Sequence, residues 1–312
     1  MNKEPYFDDN IELSKAIVKT IAFFDIFDYP LTVLEIWKYI RSELPIKFEI
    51  ILEVLDLPDL KELIENKEGF YFLKNRSDII KIRKARFNYT DTKFRRAIKI
   101  ARLFKIIPWV KMIAIGNLIG SNNLRESSDI DLFIVTKEKR IWLTRFFSIL
   151  MIKILGLRPV PGKSQDTICL SFFVSEQSLN LKNFLLTDDI YFLYWLAFLT
   201  PIYDTQGTYE KFIKSNGWVS VALPNWSPMK INDWRNAGSG LPDFYSLFMD
   251  FLFGWSEGYF KRLQMKLFPT KLKRLMNQNT TVVVSDSVIK THSNDRREEY
   301  RNNYKSRVNS YE

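Results

Sequence analysis

The sequence predicts an α+β protein, and three observations carry that prediction. Apolar residues recur at helical spacing through the first stretch of the chain, as at Leu13, Ile17, Ile21 and Phe24. Two apolar runs of strand length, residues 110–115 and 130–135, flank a loop rich in Gly, Asn and Ser. Gly, Pro and Asn clusters then punctuate further apolar segments down to a charged tail. At 312 residues the chain is long enough for about two domains, or three small ones. A hydrophobic fraction of 46% and a charged fraction of 26% exclude wholesale disorder.

The elements follow in order. After the first helix, Pro30-Leu31-Thr32 opens a second one that runs to Tyr39. Thr32 is its N-cap, with Glu35 three residues on at capping-box spacing. Residues 48–55 give a third helix, and residues 59–64 add a turn. Asn66-Lys67-Glu68-Gly69 is a turn signal running into the strand Phe70-Tyr71-Phe72-Leu73. Three helices and a hairpin describe a winged-helix-like domain over residues 1–85. Thr90 or Asp91 then caps a basic helix that Pro108 ends after Ile107. A strand at 110–115, the polar loop and a strand at 130–135 come next. A long helix over 139–155, a loop with Pro159 and Pro161, a strand over 167–174 and a buried helix over 190–199 complete a domain at 86–225. Residues 218–240, rich in Pro, Asn, Ser and Gly, mark a boundary. The region 226–312 is expected to be helical over 244–268, with a short strand at 281–284 and a charged helical tail.

Composition narrows the chemistry. A single cysteine excludes a disulfide framework and a thiolate zinc cluster, and a single histidine excludes two-histidine metal sites. The net charge of +10 and the 15% aromatic content fit nucleic acid, an anionic membrane or a phosphorylated small molecule as partner. Its distribution discriminates among these. Residues 1–85 hold 13 basic and 16 acidic side chains, whereas 86–225 hold 19 and 11, and 226–312 hold 14 and 9. A DNA-reading module needs cations for phosphate contacts. The first region instead carries Glu49, Glu53, Asp56, Asp59, Glu62 and Glu65, so DNA binding is not expected there and protein contact or scaffolding is. The longest apolar stretches, 190–199 and 148–157, fall short of the ~20 residues of a membrane span. The opening residues mix charges and lack an apolar core, so no secretory signal is read, and a soluble cytoplasmic protein is expected.

The segment with chemical content is Ile115-Gly116-Asn117-Leu118, then Ser127-Ser128-Asp129-Ile130-Asp131-Leu132. Strand alternation sends Asp129 and Asp131 to one side and makes Ile130, Leu132 and Ile134 an apolar stripe. Two carboxylates held close together repel unless a cation neutralises them, and oxygen ligands of this kind suit Mg²⁺. The glycine turn upstream lets backbone N–H groups approach a phosphate.

This pattern resembles the DNA-polymerase-beta-like nucleotidyltransferase superfamily: a hydrophobic residue, Gly-Ser, a spacer, then Asp-hydrophobic-Asp-hydrophobic. With Gly116-Asn117 at the Gly-Ser position the spacer is the eleven residues 118–128. Gly120-Ser121 would leave seven, which is too short. Asn117 replaces the family's serine and still donates a hydrogen bond. Further stretches, Phe24-Asp25-Ile26-Phe27-Asp28-Tyr29-Pro30-Leu31-Thr32, Gly69–Leu73 and Arg140-Ile141-Trp142-Leu143-Thr144-Arg145, are similar to an uncharacterised bacterial group with an N-terminal winged-helix-like domain. The resemblance implies a nucleotidyltransferase-type mixed sheet flanked by helices at 86–225. It implies transfer of a nucleoside monophosphate from a nucleoside triphosphate to an unknown acceptor hydroxyl on protein, RNA or a small molecule. Asp129 and Asp131 would hold Mg²⁺ or Mn²⁺, and Gly116, Asn117 and Ser128 would contact the nucleotide. Members usually carry a third carboxylate on the neighbouring strand. Strand 167–174 contains none, and Asp166 and Glu176 at its ends are the available acids. A catalytically inactive nucleotide-binding or regulatory protein is therefore the alternative.

Other residues have plainer readings. Asn117 serves equally as a turn residue, and Ser128 as a cap or a partner of Asp129. The run Lys93, Arg95, Arg96, Lys99, Arg102 and Lys105 is by default a solvated face, with polyphosphate or RNA binding as the other option. Arg140 and Arg145 are read as surface salt-bridge formers beside a packed Trp142. The stretch 156–164 mimics a Walker A loop, but it has five residues between its glycines, two of them proline, and it follows a helix. Cys169 reads as a small buried hydrophobe, His292 as a surface residue of the tail, and the aromatics from Phe244 to Trp255 as packing.

Overall fold

A computed structural model of the chain describes residues 8–160, 162, 164–230 and 233–311. Pro161 and Lys163 of the Walker-like stretch, and residues 1–7 of the opening stretch read for a secretory signal, lie outside the described residues.

The N-terminal part begins with α1 (Asp8–Asp25), α2 (Val33–Tyr39), α3 (Phe48–Leu55) and α4 (Pro58–Leu63), then a hairpin of β1 (Ile64–Lys67) and β2 (Phe70–Leu73). The capping box forms as the spacing predicts. The Glu35 N–H donates to Thr32 Oγ1, and the Thr32 N–H donates to the Glu35 carboxylate at 2.9 Å. Glu68 and Gly69 both take positive φ, 57° and 78°, which makes the hairpin turn tighter than the four-residue signal. Leu31 pairs with Tyr71, laying the hairpin against the entry to α2.

Helix α5 (Ile79–Phe104) differs from the expectation. It is one continuous helix, and neither Thr90 nor Asp91 caps it. The Thr90 hydroxyl instead accepts the backbone N–H of Leu124 at 2.8 Å. The helix therefore passes unbroken through residue 85, where the sequence suggests a boundary.

Next come β3 (Val110–Ile115), β4 (Ile130–Thr136), α6 (Ile141–Ile154), β5 (Ile168–Ser175) and α7 (Ile190–Ala197). The unexpected β6 (Thr200–Asp204) follows, then α8 (Thr208–Ser215) and α9 (Trp218–Ala222). The helical stretch after Gly240 is broken into α10 (Asp243–Phe253) and α11 (Glu257–Leu267) by a 3₁₀ turn over Gly254–Ser256. After α12 (Thr270–Leu275) come β7 (Val282–Val284), β8 (Val288–Thr291) and α13 (Arg297–Asn309).

Six of the strands form one mixed sheet in the order β6-β3-β4-β5-β8-β7. Only β4 and β5 pair in parallel, and α6 makes their crossover. Strand β7 falls where the short strand at 281–284 is expected, while β8 is an addition, and by pairing with β5 it joins both to the central sheet, which corrects the expectation of a C-terminal region made chiefly of helices. Ile130, Leu132, Phe133, Ile134 and Val135 are all buried, so β4 is covered on both faces. One contiguous apolar core runs from Ile17 to Val308, joining the N-terminal helices to the sheet. No helix among the described residues is long and apolar enough to cross a membrane.

Candidate active site

The loop between β3 and β4 delivers the two aspartates to the sheet, and α5 fixes that loop. Arg86, Thr90 and Lys93 lie at i, i+4 and i+7 on one face of the helix. Arg86 donates to Phe27 O, Asn123 Oδ1 (3.0 Å) and Asp28 Oδ2 (3.0 Å). Lys93 donates to the carbonyls of Glu126 and Ser128 and pairs with Asp166 at 2.8 Å. Asn123 in turn donates to Ile119 O at 2.7 Å. Lys93 thus satisfies two loop carbonyls, and Arg86 ties the loop's Asn123 side chain to the turn after α1. The basic helix is expected to be a solvated or anion-binding face, but its inner cations are structural ties. Lys99 and Arg102 remain exposed.

Asp129 stands at the mouth of β4 and Asp131 one turn of the pleat further on. Across the parallel ladder Asp131 is paired with Cys169 of β5. One ligand atom from each of Asp129, Asp131 and Cys169 lies within 4.8 Å of the other two. Burial raises the pKa of both carboxyls. The neighbouring Asp129 charge adds to the effect at Asp131, pushing it up to about 7. The Cys169 thiol is held well above its ordinary range by burial and by the Asp131 charge, so it stays protonated and donates to that carboxylate. Neither aspartate forms an ion pair among the described residues.

Two residues along β5, Ser171 Oγ lies 3.5 Å from Nε2 of His292, which follows β8 directly. This corrects the reading of His292 as a surface residue of the tail. Burial and the nearby Lys290 lower its pKa to about 4, so the imidazole is neutral near pH 7. A cleft of about 520 Å³ collects these groups, with Asn117, Ser128, Arg125, Tyr191, Arg296 and Tyr300 also on its wall. A narrower apolar slot of about 150 Å³ adjoins it at Asp131, lined by Gly116, Phe172, Phe192 and Trp195. Trp195 stacks on Phe192 with ring centroids 5.2 Å apart, and Tyr191 stacks on Tyr300 at 4.8 Å.

The sequence-predicted residues have distinct fates here. Asp129, Asp131, Asn117 and Ser128 share the cleft, and Gly116 sits at its apolar edge. The Gly116 N–H is not free for a phosphate, because it donates to Asp131 O at 2.9 Å. Its lack of a side chain serves Trp195, whose ring would lie 3.2 Å from a Cβ. Asn117 Nδ2 donates to Asp129 O at 2.9 Å, while its Oδ1 is buried with no hydrogen-bond partner. The Ser128 hydroxyl donates to Arg125 O at 2.9 Å. Neither acid considered as a third carboxylate reaches the site. Asp166 is taken by Lys93, and Glu176 accepts the Glu138 N–H at the far end of β5. Arg145, expected at the surface, is buried against Gln264 and Phe268. Cys169, Ser171 and His292 are the polar groups that sequence reasoning misses. Only strand alternation from Cys169 to Ser171 offered a signal, since both share the Asp131 face.

Comparison with models of protein families, with curated proteins and with solved structures finds no match for this chain.

Proposed function

We propose that the chain is a divalent-metal-dependent nucleotidyltransferase, moving a nucleoside monophosphate from a nucleoside triphosphate to an acceptor hydroxyl. One observation carries the reading: two carboxylates with raised pKa face one cleft without a cationic side chain paired to either. The residues fit such an ion in part. Two carboxylate oxygens suit Mg²⁺ or Mn²⁺, while a protonated thiol does not, so Asp129 and Asp131 would be the protein ligands. Bound there, the ion would neutralise the aspartate pair and the triphosphate charge.

The other side chains have roles that follow from their state. Arg86 is spent on the loop and Arg296 is already bidentate to Glu299, which leaves the exposed Arg125 for polyphosphate. Tyr191 and Tyr300, stacked on each other, line the cleft wall against which a base would pack. The neutral His292 ring can accept a hydrogen bond from the acceptor hydroxyl. With a pKa of about 4 it orients that hydroxyl more than it deprotonates it. In this reading residues 86–225 are the nucleotidyltransferase-like part. The winged-helix-like residues 1–85 make protein contacts, and dependence on nucleoside triphosphates implies the cytoplasm.

The test is incubation with each α-labelled nucleoside triphosphate, Mg²⁺ or Mn²⁺, and cell extract. Label should pass to an acceptor in the native protein and fail to do so in Asp129→Asn with Asp131→Asn. Cys169 favours a second reading, a catalytically inactive nucleotide-binding or regulatory protein, because the strand position beside Asp131 holds a thiol and no carboxylate. Nucleotide-induced stabilisation without release of pyrophosphate would select it. Absence of any nucleotide binding would sink both.

A further inference from the structure

Several aromatics of residues 244–255 are used neither by the core nor by the cleft. One face of α10 is committed. The Tyr245 hydroxyl donates to Ile106 O, Asp250 takes Trp109, Lys137 and Arg140, and Phe253 meets the Phe147 ring at 6.3 Å. The opposite face carries Phe244, Leu247, Phe248 and Phe251, continued by Trp255 in the 3₁₀ turn. Phe251 is 82% exposed, Trp255 81% and Phe244 72%. The indole N–H of Trp255 already donates to Leu252 O at 2.8 Å, so its ring can enter an apolar phase with no polar group unmet. Open aromatic surface of this extent marks a contact face.

The surrounding charge names the occupant. Residues 243–275 contain six Lys and Arg against three acids, Asp243, Asp250 and Glu257. Two of the acids are turned inward, Asp250 as described and Glu257 onto the backbone N–H groups of Trp142 and Leu143 at 2.8 and 3.0 Å. Arg262, Lys266, Lys271, Lys273 and Arg274 are exposed. Helix α11 lies on α6 through Phe260 and Phe146, 4.4 Å apart, and α10 meets the same helix at Phe147. The outer faces of α10 and α11 therefore turn away from one shared layer. An aromatic face whose adjoining helices carry an excess of exposed cations is poorly suited to self-pairing, since two copies face to face would oppose those cations. It complements an anionic bilayer surface, where acyl chains take the rings and headgroup phosphates take the Lys and Arg. At 11 residues α10 is too short to span, so it would lie in the interfacial plane.

We propose that the α10–α11 face docks this protein on anionic lipid bilayers. The proposal is independent of the nucleotidyltransferase reading. Flotation of the full chain with vesicles of equal phosphatidylcholine and phosphatidylserine, against phosphatidylcholine alone, tests it. The protein should float with the anionic vesicles and be released by salt. Apparent affinity should fall at least about tenfold in Phe251→Ser with Trp255→Ser, from the lost aromatic burial. It should fall similarly in Lys271→Glu with Lys273→Glu, each pair keeping the native circular dichroism. Failure to float with anionic vesicles, or flotation unaltered by either pair, overturns the proposal. A concentration-dependent dimer in sedimentation equilibrium that Phe251→Ser with Trp255→Ser dissolves also overturns it, because a second copy then covers the face.

Discussion

Lys93 and Asp166 form an ion pair at 2.8 Å beneath the loop that presents Asp129, and the lysine side chain is 2% exposed. The same ammonium holds the carbonyl of Ser128, the residue just before Asp129. Lys93→Met keeps the aliphatic stem and removes every one of these bonds. The expected loss is about 3 kcal/mol in urea unfolding, because a carboxylate and two carbonyls lose their donor together. A loss under about 1 kcal/mol would contradict the view that this lysine is structural.

Asp131→Asn should stabilise the metal-free protein while removing its response to metal. The native carboxylate is disfavoured by burial and then by Asp129, so a neutral isostere relieves repulsion on the order of 1 kcal/mol. Differential scanning fluorimetry should show a higher Tm than native in chelator, and a Tm that Mg²⁺ or Mn²⁺ no longer raises. A lower Tm in chelator would mean that the carboxylate is held by partners and not by repulsion.

Two glycines of the β3–β4 loop should rank in a definite order. A Cβ at Gly120 would lie 2.7 Å from the buried Tyr29 ring, and the backbone there has φ +89°. Gly120→Ala is expected to cost about 2–4 kcal/mol from strain and overlap combined. At Gly116 the neighbour is Trp195 at 3.2 Å with no positive φ, and about 1–2 kcal/mol is expected. Urea midpoints of the two variants give the comparison, and the reverse order would refute it.

Acid should weaken the fold through two groups, His292 and Asp295. His292 is neutral in the folded chain with a pKa of about 4, against an ordinary 6.5. The unfolded chain therefore takes up this proton first, and the imidazole's contribution to stability falls as pH drops from about 6.5 to about 4, by up to about 3 kcal/mol. The Asp131 carboxyl, raised to about 7, works in the opposite sense over the same range, because the folded chain takes up that proton first. The groups facing the imidazole, Lys290, Asp295 and Arg297, keep the site net positive. Below that range Asp295, held down to about 2 by Arg297 and Lys290, carries the loss from about pH 4 to about pH 2. The difference in unfolding free energy between the native chain and His292→Gln isolates the imidazole: it should shift against the native chain as pH falls from about 6.5 to about 4, and the loss below about pH 4 should persist in both.

Much of this architecture was legible wherever one face of an element meets the core. The apolar runs of β3 and β4, the Thr32–Glu35 cap and the buried α7 are local patterns, and local patterns can be read. Strand β6 escaped because Pro201 argues against a strand, although an edge position tolerates it. Strand β8 escaped because Lys290 interrupts a four-residue run. That lysine is in fact 4% exposed and bonded to Thr280 O and Asp295. Alternation brings Asp129 and Asp131 to one cleft, as the sequence suggests. The approach of Cys169 depends on inter-strand register, and that of His292 on β8 pairing with β5, and neither is written in any local spacing.

The late position of β8 has a consequence for the timing of synthesis. A chain emerging from the ribosome can lay down α5, β3, β4 and β5 as soon as those residues are free. The cleft wall formed by His292, Arg296 and Tyr300 waits for more than a hundred further residues, since β8 pairs with β5 across that separation. Until then the β5 edge and the aspartate pair stand open, which is when strand edges are most prone to wrong pairing. The candidate site is thus assembled after most of the scaffold around it, and a nascent chain stalled before Val288 would carry the two aspartates without the pocket that encloses them.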